Sequence, residues 1–174
     1  MDADVGEAGR PPGVVNMRPG RGSVAGQYIA EHPEIAKIAF TGSTATGRRI
    51  VQASAGNLKK VSLELGGKGP NIVFEDANLQ AAVNGSAWAI FHNQGQACIA
   101  GSRLMLHEKI ADAFLEQFIP LARSIRLGNP LDENTEMGPL TSAQHRERVL
   151  SYVEVAQGEG GELLAGGKSP GGDL

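Results

Sequence analysis

AKIAFTGSTATGRRI, Ala36 to Ile50, joins an apolar run to a Gly-Ser break and a helical pattern. Ala36–Phe40 is an apolar run of strand length, read on its own as a buried strand. Thr41, Gly42 and Ser43 interrupt it and open a helix that should continue to about Ala55. A second strand is expected at Val61–Leu65, VSLEL, where Ser62 and Glu64 alternate with Val61, Leu63 and Leu65. Upstream, Val14–Met17 is a short apolar run, followed by RPGRGS and a helical stretch from about Val24 to Glu31. Three strands with two intervening helices predict βαβαβ and a largely parallel sheet. The class is α/β.

The same alternation continues downstream. Asn71–Phe74 is another short apolar run, and a long helix is expected from about Asn78 to His92, with Asp76 near its positive end. Leu104–Leu106 reads as a strand. Ile110–Ile125 reads as a helix carrying Phe114, Phe118 and Leu121 on one side. Thr141-Ser142-Ala143-Gln144 fits a capping box for a last helix to about Gln157, with Val149, Val153 and Ala156 on one stripe. Residues 1–13 show no periodicity, and GGKSPGGDL from Gly166 is a Gly/Pro loop, so both ends read as cut.

Composition bounds the chemistry. The chain has 174 residues, is 41% hydrophobic and 20% charged, and matches a soluble globular protein. Its net charge of −3 comes without a Lys/Arg run longer than a pair such as Arg48-Arg49, which argues against nucleic acid and anionic membrane as partners. No apolar run approaches the ~20 residues that span a bilayer. The four histidines, His32, His92, His107 and His145, form no metal-ligand spacing with the single cysteine. A lone cysteine makes no internal disulfide, which predicts the reducing cytosol. Glycine is the outlier at 24 residues, roughly twice its usual share.

Four segments invite chemistry. GSTATG, Gly42 to Gly47, places hydroxyls and exposed N–H groups where a helix begins, a site for an anion such as a phosphate. It is not a Walker A loop, because Arg48-Arg49 stands where Lys-[Ser/Thr] is required. An ordinary N-capped turn explains it equally well. GRGSVAG, Gly20 to Gly26, has the same logic. ELGGKGP, Glu64 to Pro70, sets a carboxylate at a strand end before two glycines that let another group approach the backbone closely. FHNQGQACIAGS, Phe91 to Ser102, surrounds Cys98 with small residues. Glu64 and Cys98 are a possible base and nucleophile, yet a surface carboxylate and an inert core thiol fit the residues as well.

"PPGVVN", "HPEIAKIAFTGSTATGRRI", "LELGGKGPNIVF", "NQGQACIAGSR" and "MGPLTSAQ" occur in one order and together resemble the aldehyde dehydrogenase superfamily, NAD(P)-dependent oxidants of aldehydes. The similarity runs from about Pro11 to Gly172. It implies Cys98 as nucleophile and Glu64 as general base. It implies Ser43 and its flanking glycines, Gly42 and Gly47, at the cofactor phosphates, with Phe40, Thr44 and Thr46 also among the cofactor-binding residues. Gly22 and Gly26 would line the adenosine side, and Leu65 and Gly66 the nicotinamide. The cofactor implied is NAD or NADP, with NAD favoured; the partners are a small aldehyde substrate and, in the complete protein, further copies in a homo-oligomer.

Under this resemblance a Cys98 thiohemiacetal becomes a thioester that Glu64-activated water hydrolyses, and small neighbours give the aldehyde and the nicotinamide ring room at one sulfur. His92 is left open between a substrate channel and a surface or packing role. The resemblance covers a middle portion of a longer enzyme. The expectation is therefore a fragment, with residues 1–65 the last part of a Rossmann-like cofactor domain and 66–174 the first part of the catalytic domain. Two alternatives stand beside it: a non-enzymatic, partner-binding remnant, and a cofactor-independent thiol esterase.

Overall fold

A computed structural model describes residues 8–171. Residues 1–7 of the unpatterned N-terminal stretch and 172–174 of the Gly166 loop lie outside the described residues. The chain divides into two compact units, Met1–Leu65 and Gly66–Leu174.

In the first unit a π-helical turn, Gly22–Gly26, runs into α1 (Gln27–Glu31). There follow β1 (Lys37–Gly42), α2 (Thr44–Ser54) and β2 (Lys60–Leu65). The strands are parallel and in register from Lys37 opposite Lys60 to Gly42 opposite Leu65. A parallel pair needs a crossover, and α2 is that crossover. Gly47 allows it to lie close: a Cβ there would stand 2.8 Å from Leu65 Cδ2. Ile50 on the same helix is buried.

Two expectations fail in this unit. Val14–Met17 is not a strand. Pro11, Pro12 and Gly13 turn the chain, the Val14 N–H donates to the Pro11 carbonyl, and the Asn16 amide donates to Gly13. Val14, Val15 and Met17 are exposed, so the expected βαβαβ is a single βαβ. Nor is the AKIAF strand buried. It runs from Lys37 to Gly42 with exposed and half-buried residues alternating, because α2 covers one face of a two-stranded sheet. In β2 the alternation is as expected: Val61, Leu63 and Leu65 are half-buried, Ser62 and Glu64 exposed.

The second unit repeats the motif. β3 (Pro70–Val73), α3 (Leu79–Phe91) and β4 (Arg103–Leu106) form a parallel pair with its crossover, and α4 (Glu108–Ser124) follows. Val73, Val83 and Phe114 are the buried centre, with Leu104, Leu106, Phe118 and Leu121 packed against it. The helical spacing of Phe114, Phe118 and Leu121 therefore faces the core, as expected. Full burial of Phe114 removes its whole apolar surface from water, worth about 2–3 kcal/mol. Buried Ser86 accepts from the Asn71 amide at 2.8 Å, so the one polar group inside α3's packed face is satisfied.

α3 begins one residue after the expected Asn78, which caps it by accepting from the Ala81 N–H, with Asp76 just upstream. The last helix, α5 (Ala143–Gly158), is capped by Ser142, whose Oγ accepts from the His145 N–H; Thr141 and Gln144 form no capping box. Its stripe of Val149, Val153 and Ala156 is not buried. Val149 and Val153 instead line an open cavity of about 630 Å³ with Leu127, Met137 and Leu140. No helix among the described residues is long and apolar enough to cross a membrane.

Candidate active site

In the first unit the two suspected motifs meet at the carboxyl edge of the sheet. Register sets Thr41 beside Glu64 and Gly42 beside Leu65. Ligands of parallel α/β sheets bind at this edge, where strands hand over to helix N-termini. Ser43 is extended (φ −73°, ψ 146°) and caps α2: its Oγ accepts from the Thr46 N–H at 3.2 Å and lies 3.0 Å from Thr46 Oγ1. The Gly47 N–H donates to the Ser43 carbonyl at 2.9 Å. Gly42, Ser43, Thr44 and Thr46 are exposed, so the positive end of an eleven-residue helix opens to solvent.

The remaining candidates in this unit fall into two kinds. Phe40 is half-buried with its ring over Gly42, where a Cβ would stand 2.5 Å from Cζ. Gly47 is buried under Leu65 and serves helix–strand packing. Gly22 and Gly26 belong to the π-helical turn, and a Cβ at either would meet nothing within 4 Å. Glu64 is exposed on the outer face of β2 and Leu65 half-buried on the inner face.

In the second unit Cys98 sits on an exposed turn whose ends are fixed. The Ala100 N–H donates to Ala97 at 3.1 Å across it, and the Gly101 N–H to Ala89 of α3 at 3.0 Å. The turn is approached through three successive left-handed residues, Asn93 (φ 51°), Gln94 (φ 56°) and Gly95 (φ 71°). Left-handed backbone costs a residue with a Cβ roughly 1–2 kcal/mol, so other contacts must hold Asn93 and Gln94 there. The Asn93 amide donates to the Gln96 carbonyl at 3.1 Å, and the Gln96 N–H returns a bond to Asn93 at 2.9 Å.

Across from the turn, the Cys98 carbonyl lies against Gly67 so closely that a Cβ on Gly67 would collide with it. Gly66, by contrast, faces open space. Small residues around Cys98 thus have a packing reason of their own. Ala100 is buried, and a Cβ on Gly101 would stand 3.2 Å from Asn71 Cβ and 3.4 Å from Ala89 Cβ. His92 is exposed and stacks on Trp88 with ring centroids 5.1 Å apart, which favours the surface-packing side of the two roles left open for it. Among the described residues no group of three or more His, Cys, Asp or Glu could hold a metal ion.

Residues 4–173 match the model of the aldehyde dehydrogenase family. The chain belongs to that family. Among aldehyde dehydrogenases, it is 48% identical over 164 residues to betaine aldehyde dehydrogenase of Bacillus subtilis, covering 94% of this chain and 34% of the relative. It is 49% identical over 163 residues to the mitochondrial aldehyde dehydrogenase of Homo sapiens, covering 92% of this chain and 31% of the relative. The structure of PnpE from Pseudomonas sp. WBC-3, solved in complex with nicotinamide adenine dinucleotide, is 71% identical with a TM-score of 0.91. That match covers 95% of this chain and 34% of PnpE. The chain spans about a third of the length of the aldehyde dehydrogenases it matches.

One part of the site in this aldehyde dehydrogenase chain was visible in sequence and another was not. The second glycine of ELGGK, Gly67, is the close backbone approach that a Gly-Gly pair signals. The left-handed run before Cys98 left a weaker trace: Asn and Gly tolerate that conformation, but Gln94 between them carries no such signal.

Proposed function

We propose that this chain carries the nucleophile, the base and part of the dinucleotide cradle of an enzyme that oxidises an aldehyde to a carboxylic acid with NAD. The observation that carries the reading is the Cys98 turn, an exposed thiol held on a backbone pinned by Gly67, Ala89 and a left-handed run. Support also comes from PnpE, which was solved with NAD, and from the aldehyde oxidants among the relatives.

The cradle residues fit a dinucleotide. The Thr44 and Ala45 N–H groups in the first turn of α2 have no intrahelical acceptor, and the Ser43 and Thr46 hydroxyls beside them are exposed, a donor set suited to a pyrophosphate. Gly22 and Gly26 leave open space at the backbone where a flat ring system can lie. Leu65 and Gly66, at the strand end beside Glu64, would border the nicotinamide. When bound, the cofactor supplies a hydride acceptor.

Within this reading, Cys98 Sγ adds as thiolate to the aldehyde carbon, forming the C–S bond of a thiohemiacetal. The carbonyl oxygen takes the negative charge, and the Cys98 main-chain N–H donates to it. After oxidation the acyl group is a thioester on Cys98. Glu64 takes a proton from water, the water oxygen attacks the acyl carbon, and the thiolate leaves as the acid is released. Aldehyde oxidation across an aldehyde panel, with and without NAD, by a full-length protein carrying these residues tests the proposal. Ester hydrolysis without any oxidation would favour a thiol esterase, and neither activity a partner-binding protein. A reducing, cytosolic compartment and a homo-oligomeric complete protein belong to the same proposal.

Two further results are expected. Gly67→Ala should push the Cys98 carbonyl away; a misplacement approaching 1 Å at the sulfur lowers kcat by about 10²-fold. Thermal unfolding should show a loss of about 1–3 kcal/mol for the overpacked contact. A wild-type rate in that variant would mean the Gly67 contact does not position the thiol. The 174 residues expressed alone should bind NAD weakly and oxidise no aldehyde, because each absent contact removes on the order of 1 kcal/mol of affinity. Calorimetric titration with NAD beside light scattering checks this, and micromolar binding by a monomer would refute it.

A further inference from the structure

The first unit holds a buried lysine that the proposed chemistry does not use. Lys59 is 5% exposed, and its Nζ donates to the carbonyls of Ala30 at 2.6 Å and His32 at 2.8 Å, where α1 ends. Two residues earlier, the Asn57 amide donates to the carbonyls of Pro33 at 2.7 Å and Ile35 at 3.0 Å, and its oxygen accepts from the Lys59 N–H at 3.3 Å. Leu58 between them is left-handed (φ 57°) and 88% exposed, an unfavourable state for a residue with a Cβ and no burial to offset it. Four side-chain bonds from one turn therefore meet four carbonyls between Ala30 and Ile35, in the last turn of α1 and the segment just after it.

This matters because α1 has little else to hold it. It is five residues long, too short to be stable alone, and Ala30 is its single buried residue. Tyr28 and Ile29 are exposed, as is Val24 in the π-helical turn before it. β2, by contrast, is held by its own ladder to β1, which the Lys60 N–H begins by donating to Ala36 at 2.9 Å. Loss of the Lys59 bonds should free α1 and spare β2.

We infer that Asn57 and Lys59 form a clip that fixes the Gly22–Glu31 segment, and so set cofactor affinity as positioning residues that do not touch the cofactor. The inference rests on the proposed place of Gly22 and Gly26 beside the dinucleotide. The test uses a full-length aldehyde dehydrogenase carrying these residues. Lys59→Met removes the buried donor; Asn57→Asp, at a less buried place, keeps shape and loses the donor to Pro33 and Ile35. In the protein without NAD, hydrogen exchange of residues 27–32 should quicken in both variants while that of 61–65 is unchanged. The KM for NAD should rise about fivefold or more, the effect of losing one net hydrogen bond, with kcat at saturating NAD and NAD-free ester hydrolysis held within about twofold. Unchanged exchange at 27–32 would overturn the clip, as would equal loss of protection in β2. Faster exchange at 27–32 with an unchanged KM would overturn the link to affinity. Wild-type protein without NAD-dependent oxidation would sink the reading of the site instead, and the exchange data would still judge the clip.

Discussion

Cys98→Ala in a full-length aldehyde dehydrogenase carrying this segment is expected to lose aldehyde oxidation and ester hydrolysis together, by about 10⁴-fold or more, because no other group on the turn can form the covalent intermediate. The structural cost of the change is small. Cys98 is exposed, so truncation opens no core cavity, and stability should stay within about 0.5 kcal/mol of wild type. That contrast between an intact fold and an absent rate makes the result interpretable. Cys98→Ser replaces the sulfur with an oxygen of much weaker nucleophilicity and should leave only a trace. Iodoacetamide should label Cys98 in the native protein, since a working thiol must be reachable. Appreciable dehydrogenase turnover by Cys98→Ala would remove the nucleophile assignment, and with it the proposed mechanism.

Glu64→Gln separates two jobs that the proposed base could do, activating water or activating the thiol. Among the described residues the Glu64 side chain makes no hydrogen bond or ion pair, and it stands exposed at the carboxyl end of β2 beside Thr41. An isosteric amide there should fold normally. If Glu64 activates water for deacylation, the variant should give a rapid burst of reduced cofactor close to one per site. Steady turnover should then be slower by about 10²-fold or more. Disappearance of the burst would make Glu64 the activator of the thiol. An unchanged steady rate would make it a surface charge.

The strand–turn–helix at Ala36–Ile50 was legible because every level agreed: an apolar run, a Gly-Ser break and a capping hydroxyl. VSLEL was legible for the same reason, its period-2 alternation matching the observed burial. Val14–Met17 misled because a four-residue apolar run carries no information on whether a ladder partner exists. Pro11, Pro12 and Gly13, immediately before it, were the better signal, and they make the turn that ends at Val14. The cap at Ser142 was off by one because Thr and Ser stand side by side and both can cap; the local backbone decides between them.

At the site, Gly67 and Ser43 could be read from pattern, since each answers a local geometric need. Lys59 could not. Its partners, Ala30 and His32, lie 29 and 27 positions away and offer only main-chain carbonyls, which every residue has. A buried lysine whose acceptors are backbone leaves no mark in composition or spacing. The roles of Cys98 and Glu64 came from resemblance of five ordered motifs; the residues alone left base, nucleophile and inert readings open.

In the proposed mechanism Cys98 carries the acyl group and Glu64 releases it. Mass spectrometry of the Glu64→Gln enzyme, quenched after mixing with an aldehyde and NAD, tests it most directly. Trypsin cuts after Lys68 and Arg103, so one peptide, Gly69 to Arg103, carries the single cysteine of these 174 residues. This peptide should gain the mass of the acyl group, localised to Cys98, only when NAD is present. The adduct should decay quickly in the wild-type enzyme. An acyl group found on another residue, or an NAD-dependent burst with the Cys98 peptide unmodified, would contradict it.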